Sequence, residues 1–205
     1  MLSTSEIIER ITSEFCREFL RNPYLCYTEH GLHALYFTKL YNALPEDSRH
    51  VNWMGERVCI IQKEYPTQSN LEKPQRQHWD IAVIKNPPAS DHLKFSYDYL
   101  RLSTVIEFGL NEAEAHLVDD IERLCHADAN LEQAVLVHLY RLSQAGHKFS
   151  NRDWSPKSPR VVTLDRAKAL VADKPLEMYY AIYDRTHYYD NSAFHIKNGT
   201  INQLA

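Results

Sequence analysis

Glycine is scarce in this chain, five in 205 residues, and none of it builds a Gly-rich phosphate loop. A Gly-x-Ser-x-Gly elbow and a His-Glu-x-x-His helix are also missing, which removes the signatures of P-loop, α/β-hydrolase and zincin chemistry. The four cysteines, Cys16, Cys26, Cys59 and Cys125, form no Cys-x-x-Cys pair, so a zinc knuckle is not indicated. Cys59 lies in an apolar stretch and reads as a small buried hydrophobe. No apolar run is long enough to span a bilayer and no signal peptide is evident. The expectation is a reducing, cytoplasmic setting with no membrane partner. The net charge of −4 is not that of a strongly basic nucleic-acid binder. There is no internal repeat, low-complexity tract or second domain.

What the chain does have is 44% apolar and 24% charged residues over a length that buries a sizeable core. Helical spacing of Ile7, Ile8, Ile11, Phe15, Phe19 and Leu20 predicts an amphipathic helix over 3–21, stopped by Asn22-Pro23. A second helix is expected over 28–44, with Leu32, Leu35, Tyr36 and Leu40 inward. Glu29 stands in its first turn, where a carboxylate favours the helix dipole. His33, four residues on, shares its face and either touches substrate or lies at the core edge. Residues 56–65 read as one strand, apolar on both faces and therefore central. Asn111 and Glu114 suggest a capping box for a helix through Leu124, whose charged face, Glu112, Asp119, Asp120, Glu122 and Arg123, is expected to meet solvent. Strands over 133–142 and 176–183 and a helix over 164–172 capped by Thr163 follow. The strand–helix–strand order around 103–142 favours a parallel pairing. Lys94, Arg101, Arg141, Lys148, Arg152, Lys157 and Arg160 are either a basic patch or ordinary solvated surface. His187, Asp190 and their aromatic neighbours match no defensible metal motif.

The informative stretch is 78–125. Two β-branched strands, 78–84 and 103–109, each carry one carboxylate, Asp80 and Glu107. Such a group is costly to bury unless it is paired, protonated or on a metal. Asp80 shares a strand face with Ala82, and Glu107 with Val105 and Gly109. In a suitable register the two converge on one side and form a hard-oxygen site for a divalent cation.

An Asp on one strand, a Glu on the next and a helix directly after resembles the PD-(D/E)xK, or restriction-endonuclease-like, nuclease superfamily. The likeness covers about residues 25–145. It also includes the strand end Gln62-Lys63-Glu64-Tyr65-Pro66-Thr67 and an upstream helical acid, Glu29. The resemblance implies an α/β fold with an αβββαβ core and a mixed central sheet flanked by helices. It implies one domain over 1–205: N-terminal helices (1–45), core (46–145) and C-terminal additions (146–205). It further implies Mg2+ or Mn2+ held by Asp80, Glu107 and Glu29, hydrolysis of DNA or RNA, and the homodimers common in such nucleases. Arg76, His78 and His33 are the candidate substrate contacts. One departure is plain. The family's lysine, two residues after the Glu, is Gly109 here. Either another cation replaces it, with Lys63 the nearest candidate and Lys85 facing away, or the fold binds nucleic acid or a protein partner without cleaving.

Overall fold

The computed structural model describes residues 2–53, 55–67, 78–85, 101–145, 147–149 and 152–204. Helix α1 (Thr4–Arg21) opens with a capping box. The Ser3 hydroxyl accepts from the Glu6 N–H, and the Ser3 N–H donates to Glu6 Oε2 at 2.7 Å. Helix α2 (Glu29–Ala43) is capped by Thr28, whose hydroxyl accepts from the Gly31 N–H at 3.1 Å. A hairpin of β1 (His50–Trp53) and β2 (Glu56–Cys59) precedes the main sheet. That sheet takes β3 (Ile61–Pro66), β4 (His78–Ile84), β5 (Leu102–Leu110), β6 (Leu131–Leu142), β7 (Leu176–Asp184), β8 (Ser192–Lys197) and β9 (Thr200–Gln203) in sequence order. Helix α3 (Glu114–Leu124) joins β5 to β6, and α4 (Leu164–Val171) joins β6 to β7. Both of those pairs are parallel and the remaining four are antiparallel. The protein is thus a mixed α/β structure with a seven-stranded mixed sheet. Among the described residues, no helix is long and apolar enough to cross a membrane.

Two apolar layers cover the sheet. Ile8, Phe15 and Tyr36 of α1 and α2 pack on Ile81, Ile106, Phe108 and Val137. Leu117, Ile121 and Val171 of α3 and α4 pack on Ala82, Val105, Leu136 and Tyr180. Successive β5 residues therefore face opposite layers, as strand alternation requires.

Several expectations need correction. Residues 56–65 are not one central strand. The chain breaks at Ile60, whose N–H donates to Arg49 O and whose carbonyl accepts from the Ile84 N–H. The apolar run spans the join between the β1–β2 hairpin and β3, and β3 is an edge of the main sheet. Cys59, at the end of β2, is half-buried. Asn111 caps nothing. It has a φ of 58°, its side-chain N–H donates to Arg152 O, and Ala113 occupies the N-cap without a side-chain bond. The charged face of α3 is not all solvated, because Asp120 and Arg123 are buried. The C-terminal segment, beyond β7, adds the strands β8 and β9.

Arg141 is no part of a surface patch. It is 1% exposed, and Lys94 lies outside the described residues. The Arg141 guanidinium donates to Pro23 O at 3.2 Å, Cys26 O at 3.0 Å and Tyr27 O at 2.8 Å, with Asp153 Oδ1 4.0 Å from Nε. Tyr24 OH donates to Asp153 Oδ2 at 2.6 Å. One buried cation thus gathers the carbonyls of the connection leading into α2 and sets where that helix begins. Arg141→Met should destabilise the chain by about 3–5 kcal/mol in urea unfolding, because it leaves Asp153 and three carbonyls buried without their cation.

Candidate functional site

Asp80 and Glu107 lie near each other where β4 parts from β5, but among the described residues Asp80, Glu107 and Glu29 do not bring a ligand atom each within 4.8 Å of the others. The β4–β5 ladder ends at the Ile81–Ile106 pair, although β4 begins three residues earlier. On the other side of β4 the register runs Lys63–Ile81, then Tyr65–Trp79, and skips Glu64 and Asp80. Glu64 has a φ of 54°, a left-handed conformation uncommon for a side chain of this kind. The kink turns the strands over. Ile61 and Ile81 pack with α1 and α2, whereas Tyr65 and Trp79 pack on the α3 side. Asp80 sits at the turning point.

Past Ile106, the even-numbered N–H groups of β5 have lost β4 as a partner. Asp80 Oδ2 accepts from the Phe108 N–H at 2.8 Å, and Glu29 Oε2 accepts from the Leu110 N–H at 2.8 Å. The helix, the strand and the fork are thereby tied together by two carboxylates. Glu107, one residue before Phe108, faces the α3 layer. Its Oε2 accepts from Arg123 at 3.1 Å, and the same Arg123 nitrogen donates to Asp120 Oδ1 at 2.7 Å. The guanidinium also lies over the Trp79 ring, 5.3 Å from its centre. The second Glu107 oxygen, Oε1, is buried and makes no hydrogen bond of good geometry, although the Asp80 backbone N–H lies close enough to stabilise the Glu107 carboxylate.

The local charge does not balance. The Arg123 guanidinium lies within 4 Å of Glu107, Asp120 and Asp119, and Asp80 stands close enough to feel its charge. Burial, above all, pushes Asp80 up to about 6 and Glu29 up to about 7, and the backbone N–H each accepts offsets only part of that. Burial and then the neighbouring Asp80 raise Glu107 well above the usual carboxylate range, and Asp120 is raised as well, mainly by burial. Carboxyls raised in this way take up protons as pH falls towards neutrality, and a divalent cation with hard oxygen ligands is a species that would hold them charged instead.

The other sequence candidates fall around this fork. Lys63 Nζ pairs with Glu64 Oε1 at 3.0 Å. His33 is buried, its ring tilted against Phe108 with Nε2 3.6 Å from Asp80 Oδ2. His78 is exposed at the start of β4, and its carbonyl accepts from Arg123 at 3.5 Å. Arg76 lies outside the described residues. Sequence reasoning missed Asp120 and Arg123 as site residues. Their spacing on α3 is that of any exposed helical ion pair, and only the packing of α3 on β5 turns them inward. It also missed His138, which pairs with Gly109 across β5 and β6.

That pairing explains the glycine. A Cβ at position 109 would lie 2.8 Å from His138 Nδ1. The imidazole is pinned: its Nε2 bonds the Tyr140 hydroxyl at 2.9 Å, and that hydroxyl donates to Glu112 O and accepts from the Val162 N–H. Burial lowers His138 to about 3, so it is neutral and supplies no cation in place of the lysine. Comparison with known protein families, curated proteins and solved structures finds no significant match to this chain.

Two outcomes follow. Gly109→Ala should cost about 1–3 kcal/mol by overpacking, and most of that loss should vanish in a His138→Ala background when the double-mutant cycle is read in urea. Asp80 has a folded pKa above its unfolded value, so its contribution to stability is full below about pH 4 and is lost as pH rises through about 6. Asp80→Asn, compared with the wild type in metal-free buffer, should therefore gain relative stability between pH 5 and 7.5, by on the order of 1–3 kcal/mol.

Proposed function

We propose that this chain is a divergent PD-(D/E)xK-type nuclease that binds a divalent cation at Asp80 and Glu107 and hydrolyses phosphodiester bonds in DNA or RNA. The observation that carries the reading is the fork itself: two acids from neighbouring strands, close enough that each raises the cost of ionising the other, buried beside one guanidinium. With the β1–β2 hairpin set aside as an insertion, the order helix α2, antiparallel β3–β4–β5, helix α3, parallel β6 is compatible with an αβββαβ core. Asp80 and Glu107 would hold Mg2+ or Mn2+, with Glu29 beside them from α2. A divalent cation there lowers the pKa of a bound water and steadies charge on a phosphoryl oxygen.

The chain's own residues do the rest. The N–H groups of Phe108 and Leu110 orient Asp80 and Glu29. Arg123 holds the Glu107 carboxylate in place and is the fixed cation of the site. Its guanidinium stays charged and can attract a phosphate oxygen, but it cannot take a proton from water as an amine can. Lys63 is the ionisable amine on the neighbouring strand.

Gly109 against His138 favours a second reading, a nuclease-like module that binds nucleic acid or a protein partner without cleaving. The two separate in one experiment. The chain is incubated with single- and double-stranded DNA and RNA in Mn2+, beside Asp80→Asn and Glu107→Gln, and Mn2+ affinity is measured by calorimetry. The nuclease reading expects cleavage that falls at least about 100-fold in either variant, with metal affinity falling in parallel. Cleavage indifferent to Asp80 would sink it. Absent cleavage by a folded, metal-loaded chain leaves the binding module.

A further inference from the structure

On the α2 side of the fork lies a second group of donors, with a different chemistry. His30 and His33 stand three residues apart on α2 and so project from one side of the helix. Glu64 reaches them from β3, where its left-handed backbone turns it out of the strand's alternation. One ligand atom of each of the three lies within 4.8 Å of the others, and His30 Nδ1 is 3.6 Å from Glu64 Oε1.

His33 makes this more than a surface cluster. It has no exposed surface, and neither ring nitrogen has a hydrogen-bond partner. Buried imidazoles normally satisfy both nitrogens, because an unpaired polar atom costs on the order of 1–3 kcal/mol. His138, also deeply buried, has a partner for Nε2 in the Tyr140 hydroxyl. His33 is instead fixed by ring packing on Phe108 and His30, with its nitrogens left over.

We propose that His30, His33 and Glu64 bind a first-row divalent transition metal of the zinc type. Two imidazoles and one carboxylate suit Zn2+, Co2+ or Ni2+ better than Mg2+, which prefers oxygen and keeps its water. Glu64 Oε1 is held by Lys63 in the metal-free chain, and the ion replaces that ammonium as its partner. Asp80 Oδ2, 3.6 Å from His33 Nε2, adjoins the site and supplies a fourth donor. Asp80 adjoins both this site and the proposed nuclease fork, whereas His30, His33 and Glu64 belong to this site alone and Glu107 and Arg123 to the fork alone, which keeps the two readings separable.

The test uses the full chain stripped of metal by chelation. Zn2+ binding is followed by calorimetry, and Co2+ is added as a probe whose visible absorption reports nitrogen ligation. Because His33→Ala would empty a buried position and confound binding with folding, the variants are His30→Ala and Glu64→Gln, both at exposed positions. Each should weaken Zn2+ binding at least about tenfold and dim the Co2+ spectrum, whereas Glu107→Gln, which removes an oxygen donor from the fork and no nitrogen ligand, should leave the nitrogen-ligated Co2+ spectrum in place. Failure of the folded wild type to bind Zn2+, or binding that ignores both variants, overturns the site. Zn2+ binding that is lost in Glu107→Gln and kept in His30→Ala also overturns it. Intact Zn2+ binding in a chain that cleaves no nucleic acid sinks only the nuclease reading.

Discussion

Beyond Ile106, β5 carries N–H groups that β4 no longer reaches, and a buried backbone donor must find a partner. Asp80 and Glu29 provide it. That requirement ties α2, β4 and β5 into one arrangement. The kink at Glu64 and Asp80 releases β4 from its neighbour, the release exposes the donors, and the donors draw the carboxylates in. Arg141 works at the same junction from the other side, since the three carbonyls it gathers belong to the connection that feeds α2.

The arrangement is under electrostatic tension. Satisfying backbone donors with carboxylates brings negative charge into a poorly solvated place, and β5 adds Glu107 one residue from Phe108. Arg123 neutralises part of this but leaves Glu107 Oε1 without a hydrogen bond of good geometry. Burial of these carboxyls is costly in their charged form, and their raised pKa values record that cost. Across the fork, His33 shows a quieter form of the same deficit, with two buried nitrogens and no partner.

The helices and strands were largely legible because their patterns are local. The Ser3–Glu6 box, the Thr163 cap and the β-branched runs of β4, β5, β6 and β7 sit within a residue or two of where periodicity puts them. The misreadings arose where one pattern fits two structures. Consecutive apolar residues over 58–61 suit a central strand or a strand junction. Asn111 suits an N-cap or a left-handed residue that ends a strand. Acidic and basic residues at helical spacing suit a solvated face or, as at Asp120 and Arg123, a buried ion pair.

From the sequence alone came the expectation that Asp80 and Glu107 enter the interior, because a carboxylate amid β-branched residues stands out against the cost of burying it. The sequence also determined that position 109 holds no lysine. What those acids do to one another was decided by the tertiary structure. The register puts Asp80 and Glu107 at one fork, the packing of α3 turns Arg123 inward, and the β5–β6 pairing sets His138 against Gly109. Each of these joins residues far apart in the chain. Alternation and propensity act over a few neighbours, whereas charge balance and close packing depend on whatever the fold brings within a few ångströms.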